Sequence, residues 1–165
     1  MSFNHTGFEA QHDHSHCIES ALNGAKTICS ERGLRLTPIR ELVLSLIWQS
    51  HKPLGAYDIL PSLAEAGFNS APPTVYRALE FLQEQGLIHR ISTLNAYIGC
   101  PSPEHEHTGY FLICKGCNNA VEMHCSDAEK AITAQTNDLG FQIDSVSTEV
   151  LGLCKNCSGK AASHS

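Results

Sequence analysis

The chain has 165 residues, 42% of them hydrophobic and 17% charged, with a formal net charge of −6. That length allows one large domain or two small ones. No run of about 18 apolar residues occurs, which excludes a transmembrane helix, and the polar, His-rich start lacks the apolar core of a signal peptide. A cytoplasmic protein is expected, in which eight cysteines read as metal ligands or redox thiols rather than disulfides. The acidity is uneven. Residues 26–100 carry seven Lys/Arg against six Asp/Glu, and residues 101–165 carry four against eight. The middle of the chain is therefore the part that permits DNA binding.

Residues 1–17 hold His5, His12, His14, His16 and Cys17 without apolar periodicity. They read as a disordered arm, either a solvated tail or a weak metal collector. Ile18 to Arg32 predicts a helix stopped by Gly33. Thr37-Pro38 is a cap followed by a favoured first helical residue. Ile39, Leu42, Val43, Leu46 and Ile47 then repeat at helical spacing, with Trp48 near the end. A third helix runs from about Ala56 to Ala66, with Pro61 as a kink point and Gly67 as its stop. The linker Asn69-Ser70-Ala71-Pro72-Pro73 cannot be helical throughout. A fourth helix is expected from about Thr74 to Gln85, with Val75, Leu79 and Leu82 inward, Thr74 and Arg77 outward, and Gly86 as its stop.

Leu87 to Ile91 and Leu94 to Ile98, joined by Ser92-Thr93, predict a hairpin. Helices followed by such a hairpin make a winged helix-turn-helix, whose last helix can enter the major groove. Pro101-Ser102-Pro103 reads as a hinge. Tyr110 to Cys114 and Asn119 to Met123 predict a second hairpin with Cys114-Lys115-Gly116-Cys117 at its turn. Ser126-Asp127-Ala128-Glu129 reads as a capping box, opening a helix that runs to Leu139 and stops at Gly140. Phe141 to Leu151 reads as a strand with a bulge near Ser145-Val146, and the residues after Cys157 read as frayed. The fold class is α+β. The expected division is a disordered arm over 1–17, a winged-helix DNA-binding domain over 18–99 and a hinge over 100–106. A small α/β dimerisation and metal-binding domain follows over 107–157, then a disordered tail over 158–165.

Two constellations carry metal chemistry. Cys114, Cys117, Cys154 and Cys157 form two C-x-x-C pairs, and four thiolates suit tetrahedral Zn²⁺. A closed four-thiolate site would stabilise a domain with little core, so this one reads as structural. His89, Cys100, His107 and Glu122 straddle the hinge and make a mixed N/S/O set. Its thiolate favours Zn²⁺ over Mn²⁺ or Fe²⁺, which gives two zinc ions per subunit. His105 is an alternative to His107.

Gly33-Leu34-Arg35-Leu36-Thr37-Pro38-Ile39-Arg40, Ala56-Tyr57-Asp58, Pro72-Pro73-Thr74-Val75-Tyr76-Arg77-Ala78-Leu79 and the two C-x-x-C pairs resemble the ferric uptake regulator superfamily. The resemblance runs from about Ile18 to Cys157. Within it the chain looks like the zinc uptake regulator branch, whose sensing site matches His89, Cys100, His107 and Glu122. The resemblance implies a homodimer paired through its C-terminal domains, repression of zinc-import genes in the zinc-loaded state, and DNA contact at Tyr57 and Arg77. Thr74 and Tyr76, which flank Val75 on the same helix, join them as candidate DNA-contacting residues. The expected target is double-stranded operator DNA with an inverted repeat. Some relatives have a further metal site with a His shortly before the last C-x-x-C, where this chain has Val150-Leu151-Gly152-Leu153. Two other functions compete. An enzyme with catalytic zinc would need an open coordination position, and no nucleophile–base motif is present. A thiol or peroxide sensor of the same superfamily would need exposed thiols of low pKa.

Overall fold

The computed structural model describes Phe8 and residues 13–104 and 109–161. Four helices come first: α1 (His14–Glu31), α2 (Pro38–Ile47), α3 (Ala56–Glu65) and α4 (Pro72–Glu84). A hairpin follows, β1 (Ile88–Ile91) and β2 (Ala96–Gly99). Then come β3 (Gly109–Cys114), β4 (Ala120–Met123), α5 (Ser126–Asp138), β5 (Ser147–Gly152) and α6 (Lys155–Ala161). The three-stranded sheet has the order β4-β3-β5. β3 runs antiparallel to β4 and parallel to β5, with Cys114 opposite Gly152. Among the described residues no helix is long and apolar enough to cross a membrane.

The α+β class and the element order agree with the sequence, and Gly33, Gly67, Gly86 and Gly140 all follow helices at positive φ. Several boundaries differ, each for a local reason. α1 starts at His14 rather than Ile18, so the supposed arm is helical from His14 to Cys17. Asp13 is the cap: its carboxylate accepts from the Ser15 N–H at 2.9 Å. An N-cap carboxylate suffices to start a helix even within a polar, His-rich stretch. α4 starts at Pro72, before Thr74. First-turn N–H groups have no intrahelical partner, so two prolines cost the helix nothing there.

The wing turn spans Ser92 to Asn95, because Ile91 pairs with Ala96 and Asn95 takes φ +47°. Leu54 adds one more antiparallel bridge to Tyr97, with both N–H···O bonds at 2.9 Å. At α5 the expected capping box is absent: Cys125 holds the cap position and Ser126 is already helical. β5 begins at Ser147, so the strand expected from Phe141 is shorter and the region of the expected bulge lies outside it. Beyond Cys157 the chain remains helical to Ala161 rather than frayed.

Two apolar clusters hold these elements. The larger draws Ala25 and Ile28 from α1, Val43, Leu44 and Ile47 from α2, Ile59 and Leu63 from α3, and Val75, Leu79 and Leu82 from α4. The smaller joins Ile91 and Ile98 of the wing to Phe111, Ile113 and Ala120 of the second sheet. The wing therefore packs on both sides, against its own helices and against β3 and β4. Polar links brace the helices: Arg32 Nη1 donates to the Gln85 carbonyl and side-chain oxygens at 3.1 and 2.9 Å, and the Arg40 guanidinium lies 3.4 Å from the Phe81 ring centre.

Gly99 sits where β2 passes Trp48, and a Cβ built there would fall 2.2 Å from the indole. The last β2 residue must therefore lack a side chain, and its neighbour is Cys100. Gly99→Ala should lower stability by about 1–3 kcal/mol through overpacking. Urea unfolding of wild type and variant checks this, and equal midpoints would show that the indole moves aside freely.

Candidate metal centres and DNA-facing surface

The four cysteines of the two C-x-x-C pairs come together, their sulfur atoms all within 4.8 Å of one another. β3 delivers Cys114, and the turn after it delivers Cys117. That turn closes through the Asn118 N–H donating to the Cys114 carbonyl at 2.8 Å, with Asn118 at φ +59°. Cys154 follows β5, tied to the first knuckle by Lys115 N–H donating to the Gly152 carbonyl at 2.8 Å. Cys157 lies in the first turn of α6, its N–H donating to the Cys154 carbonyl at 3.0 Å. The knuckles touch so closely that a Cβ on Gly116 would come within 2.8 Å of Cys157 Sγ.

The electrostatics of the thiols fit a cation between them. The Cys154 N–H donates to Cys114 Sγ at 3.3 Å, and this bond is the main reason that thiol falls to about 6. Cys157 is pushed up to about 12, first by its hydrogen bonds to the Cys154 and Cys114 sulfurs and then by burial. Four sulfurs packed this closely suit a divalent ion, because the thiolate is the ligating form.

His89, Cys100 and Glu122 form the second group, again with ligand atoms within 4.8 Å of one another. His89 lies on β1 opposite Ile98, and Glu122 lies on β4 opposite Phe111. Cys100 follows β2 at once, held by its N–H donating to the Leu87 carbonyl at 3.0 Å. His89 Nε2 stands 3.3 Å from Glu122 Oε2, and the His89 ring packs 5.3 Å from that of Phe111. The Glu122 side chain is only 7% exposed. Burial, then the Glu122 carboxylate, push the Cys100 thiol up to about 12. A buried carboxylate and thiol side by side are costly unless a positive charge joins them, so this donor set also fits a metal. His89 also lines an open cleft of about 1140 Å³. His107, the expected fourth ligand, and its alternative His105 lie outside the described residues.

The candidate DNA-contacting residues lie on the first turns of α3 and α4. Val75, Ala78, Leu79 and Leu82 bury one face of α4. Tyr76 and Arg77 are exposed and Thr74 is half-buried on the first turns of the same helix. Tyr57 projects from the first turn of α3, 68% exposed. Sequence reasoning missed Glu149: its carboxylate accepts from the Ser92 and Thr93 N–H groups at 2.5 and 3.0 Å. An acidic residue in a half-exposed strand gives no sequence signal for such a contact.

Residues 31–151 match the ferric uptake regulator family. The zinc uptake regulation protein of Escherichia coli (strain K12) is 38% identical over 84% of this chain and 82% of its own. A solved zinc uptake regulator complexed with zinc and DNA is 36% identical over 88% of this chain and 97% of its own, with a TM-score of 0.83. XcZur is known in two forms. The holo form is 44% identical over 85% of this chain and 98% of its own, with a TM-score of 0.77. The apo form is 42% identical over 86% of this chain and 97% of its own, with a TM-score of 0.50. At near-equal identity, this structure is thus far more like the holo form. Taken with the four-cysteine cluster and the mixed triad, these matches mean that the chain belongs to the ferric uptake regulator family, on its zinc uptake regulator branch.

Proposed function

We propose that this chain is a zinc-responsive transcriptional repressor that binds operator DNA as a zinc-loaded homodimer and controls zinc uptake genes. The observation that carries the reading is the meeting of His89 and Cys100, from the wing side of the chain, with Glu122 from β4. Donors from two parts of the fold converge on one point, so occupancy of that point bears on how the parts are held. The parts are a winged-helix domain over 18–99 and a dimerisation domain over 107–157, with a hinge over 100–106. His107 completes the regulatory ligand set, with His105 as the neighbouring alternative. A bound zinc ion supplies a divalent charge that the two imidazoles, the thiolate and the carboxylate share. The thiolate favours zinc over manganese or iron.

The second zinc ion belongs to Cys114, Cys117, Cys154 and Cys157. Four protein ligands leave no open position, so this site is structural and not catalytic. The region around it has little core of its own: α5 has no buried residue. Tyr57, Thr74, Tyr76 and Arg77 are the DNA contacts, with α4 as the reading helix. The dimer pairs through the C-terminal part, where β5 is an edge strand and Leu139, Phe141, Val150, Leu151 and Leu153 are exposed apolar side chains. Edge strands with apolar neighbours are the surfaces most in need of cover. A two-fold dimer reads a two-fold site, so the operator is an inverted repeat. Such a regulator acts in the cytoplasm.

The reading is tested by titrating zinc competitively with and without operator duplex. Because linkage is reciprocal, operator must tighten zinc binding by the factor by which zinc tightens operator binding. Cys100→Ser and His89→Ala should keep the dimer and the structural zinc but lose this coupling. Identical zinc affinities with and without operator in the wild-type protein would sink the switch. Cys154→Ser is expected to behave differently, giving a poorly folded or monomeric protein, since one missing ligand opens the structural site. Full zinc content with a normal dimer would contradict that assignment. Arg77→Ala should leave zinc content unchanged and lose about 1–3 kcal/mol of base discrimination, the worth of one bidentate arginine contact. Footprints with unchanged sequence preference would remove Arg77 from the reading surface.

A further inference from the structure

The wing tip is held from outside its own domain. Ser92 and Thr93, in the turn between β1 and β2, donate their backbone N–H groups to the two oxygens of the Glu149 carboxylate at 2.5 and 3.0 Å. The Thr93 hydroxyl donates to the same carboxylate. Glu149 stands in the middle of β5, 57 residues beyond Ser92. Adjacent N–H groups that converge on one anion form a nest, and hydrogen bonds to an ionised acceptor are about twice as strong as neutral ones. Burial by itself would push the Glu149 carboxyl up; the bonds from Thr93 and Ser92 and the nearby Arg90 guanidinium hold it below the ordinary value. Directly behind the turn, Ile91 and Ile98 share an apolar cluster with Phe111, Ile113 and Ala120. The Ala120 N–H also donates to the His51 carbonyl at 3.1 Å.

The wing therefore meets the second sheet through polar groups at both ends of its strands, with the apolar cluster of Ile91 and Ile98 between them. At the base are the metal donors, where His89 meets Glu122. At the tip is the Glu149 carboxylate, held by Ser92 and Thr93. Polar groups at opposite ends set the angle at which that apolar contact packs.

We propose that Glu149 is a positioning residue for DNA binding: by gripping the Ser92–Thr93 turn it holds the wing at the angle of the zinc-loaded form. The proposal rests on the zinc-switch reading above. The arrangement containing this grip resembles the holo form of XcZur more than the apo form. Three donors on one carboxylate set both distance and direction, which an apolar contact cannot do. A grip that favours the same arrangement as the metal must raise metal affinity, since anything that stabilises one of two states favours every ligand of that state.

The test uses the full-length dimer with its four-cysteine site loaded, as wild type, Glu149→Gln and Glu149→Ala. Hydrogen exchange reads the Ser92 and Thr93 amides. A competitive zinc titration without DNA reads the site at His89, Cys100 and Glu122. Operator affinity is measured last. In Glu149→Ala both amides should exchange faster, and regulatory zinc affinity should fall at least about fivefold, the lower end of typical coupling. Operator affinity should fall with it. Glu149→Gln keeps one carbonyl acceptor and should lie between. Structural zinc content and dimerisation should match wild type, which separates a lost grip from a lost fold. Unchanged exchange at both amides in either variant would overturn the proposal, as would wild-type zinc affinity once those amides are freed. The exchange and zinc measurements involve no DNA. A wild-type protein that binds no operator would therefore defeat the zinc-switch reading and leave the grip itself decided by its own data.

Discussion

A thiol, an imidazole and a carboxylate lie within 4.8 Å of one another at the seam between the wing and the second sheet. Much of the rest of the structure serves that placement. Burial, and after it the Glu122 carboxylate, push the Cys100 thiol up to about 12. The chain accepts this arrangement because each donor is fixed by its own element. His89 is held by β1, Glu122 by β4, and Cys100 by an N–H bond to the Leu87 carbonyl. Gly99 lets β2 pass hard against Trp48 and so sets where Cys100 begins. A site built from rigid elements on both sides of a seam reports on the geometry of that seam, and this is what a switch requires.

The two cysteine and mixed-donor groups divide the work according to where their ligands come from. All four cysteines belong to β3, the turn after it, and the segment after β5, elements already side by side in one sheet. In the proposed reading an ion there joins neighbours and stabilises the local fold. It compensates for a region in which α5 buries nothing and β5 is largely exposed. The mixed triad joins elements that the chain places on either side of residues 100–108. In the proposed switch an ion at that site sets the relation between the wing and the second sheet, which also share the apolar cluster of Ile91, Ile98, Phe111, Ile113 and Ala120. The larger apolar cluster, which takes in the inward face of α4, contains none of the candidate metal donors.

The sequence was most informative where one residue type has one use. The two C-x-x-C pairs, the helix-closing glycines and the inward face of α4 are each dictated by local chemistry, and each lies where its pattern placed it. It was least informative at starts of elements and at contacts between distant residues. Asp13 starts a helix in a stretch whose histidines resemble a disordered tail. Pro72 and Pro73 look like a linker, yet they suit a first turn whose N–H groups need no partner. Ser126 has the spacing of a cap, but Cys125 has taken that backbone position. Glu149 and the Leu54–Tyr97 bridge depend on partners more than 40 residues away, and no periodicity within one element encodes those. The mixed triad was legible as a set of ligating residue types, although the spacing between its members carried little information by itself.

Charge explains why geometry, rather than raw attraction, must control DNA binding here. Residues 26–100, which include the reading helix and the wing, carry seven Lys/Arg against six Asp/Glu, and the whole chain carries −6. Non-specific affinity comes mainly from neutralising phosphates, so a single wing-helix unit this close to neutral holds DNA weakly wherever it lands. In the proposed dimer, useful affinity then comes from two copies engaging two half-sites together, because the second contact forms at high effective concentration only if the spacing matches. A strongly basic unit would bind DNA at any angle, and hinge closure would change little. With little net positive charge, a modest change in the angle between wing and sheet decides whether both half-sites can be reached at once. In the proposed switch the near-neutral charge has a part of its own, since it makes DNA occupancy depend on the relation between wing and sheet.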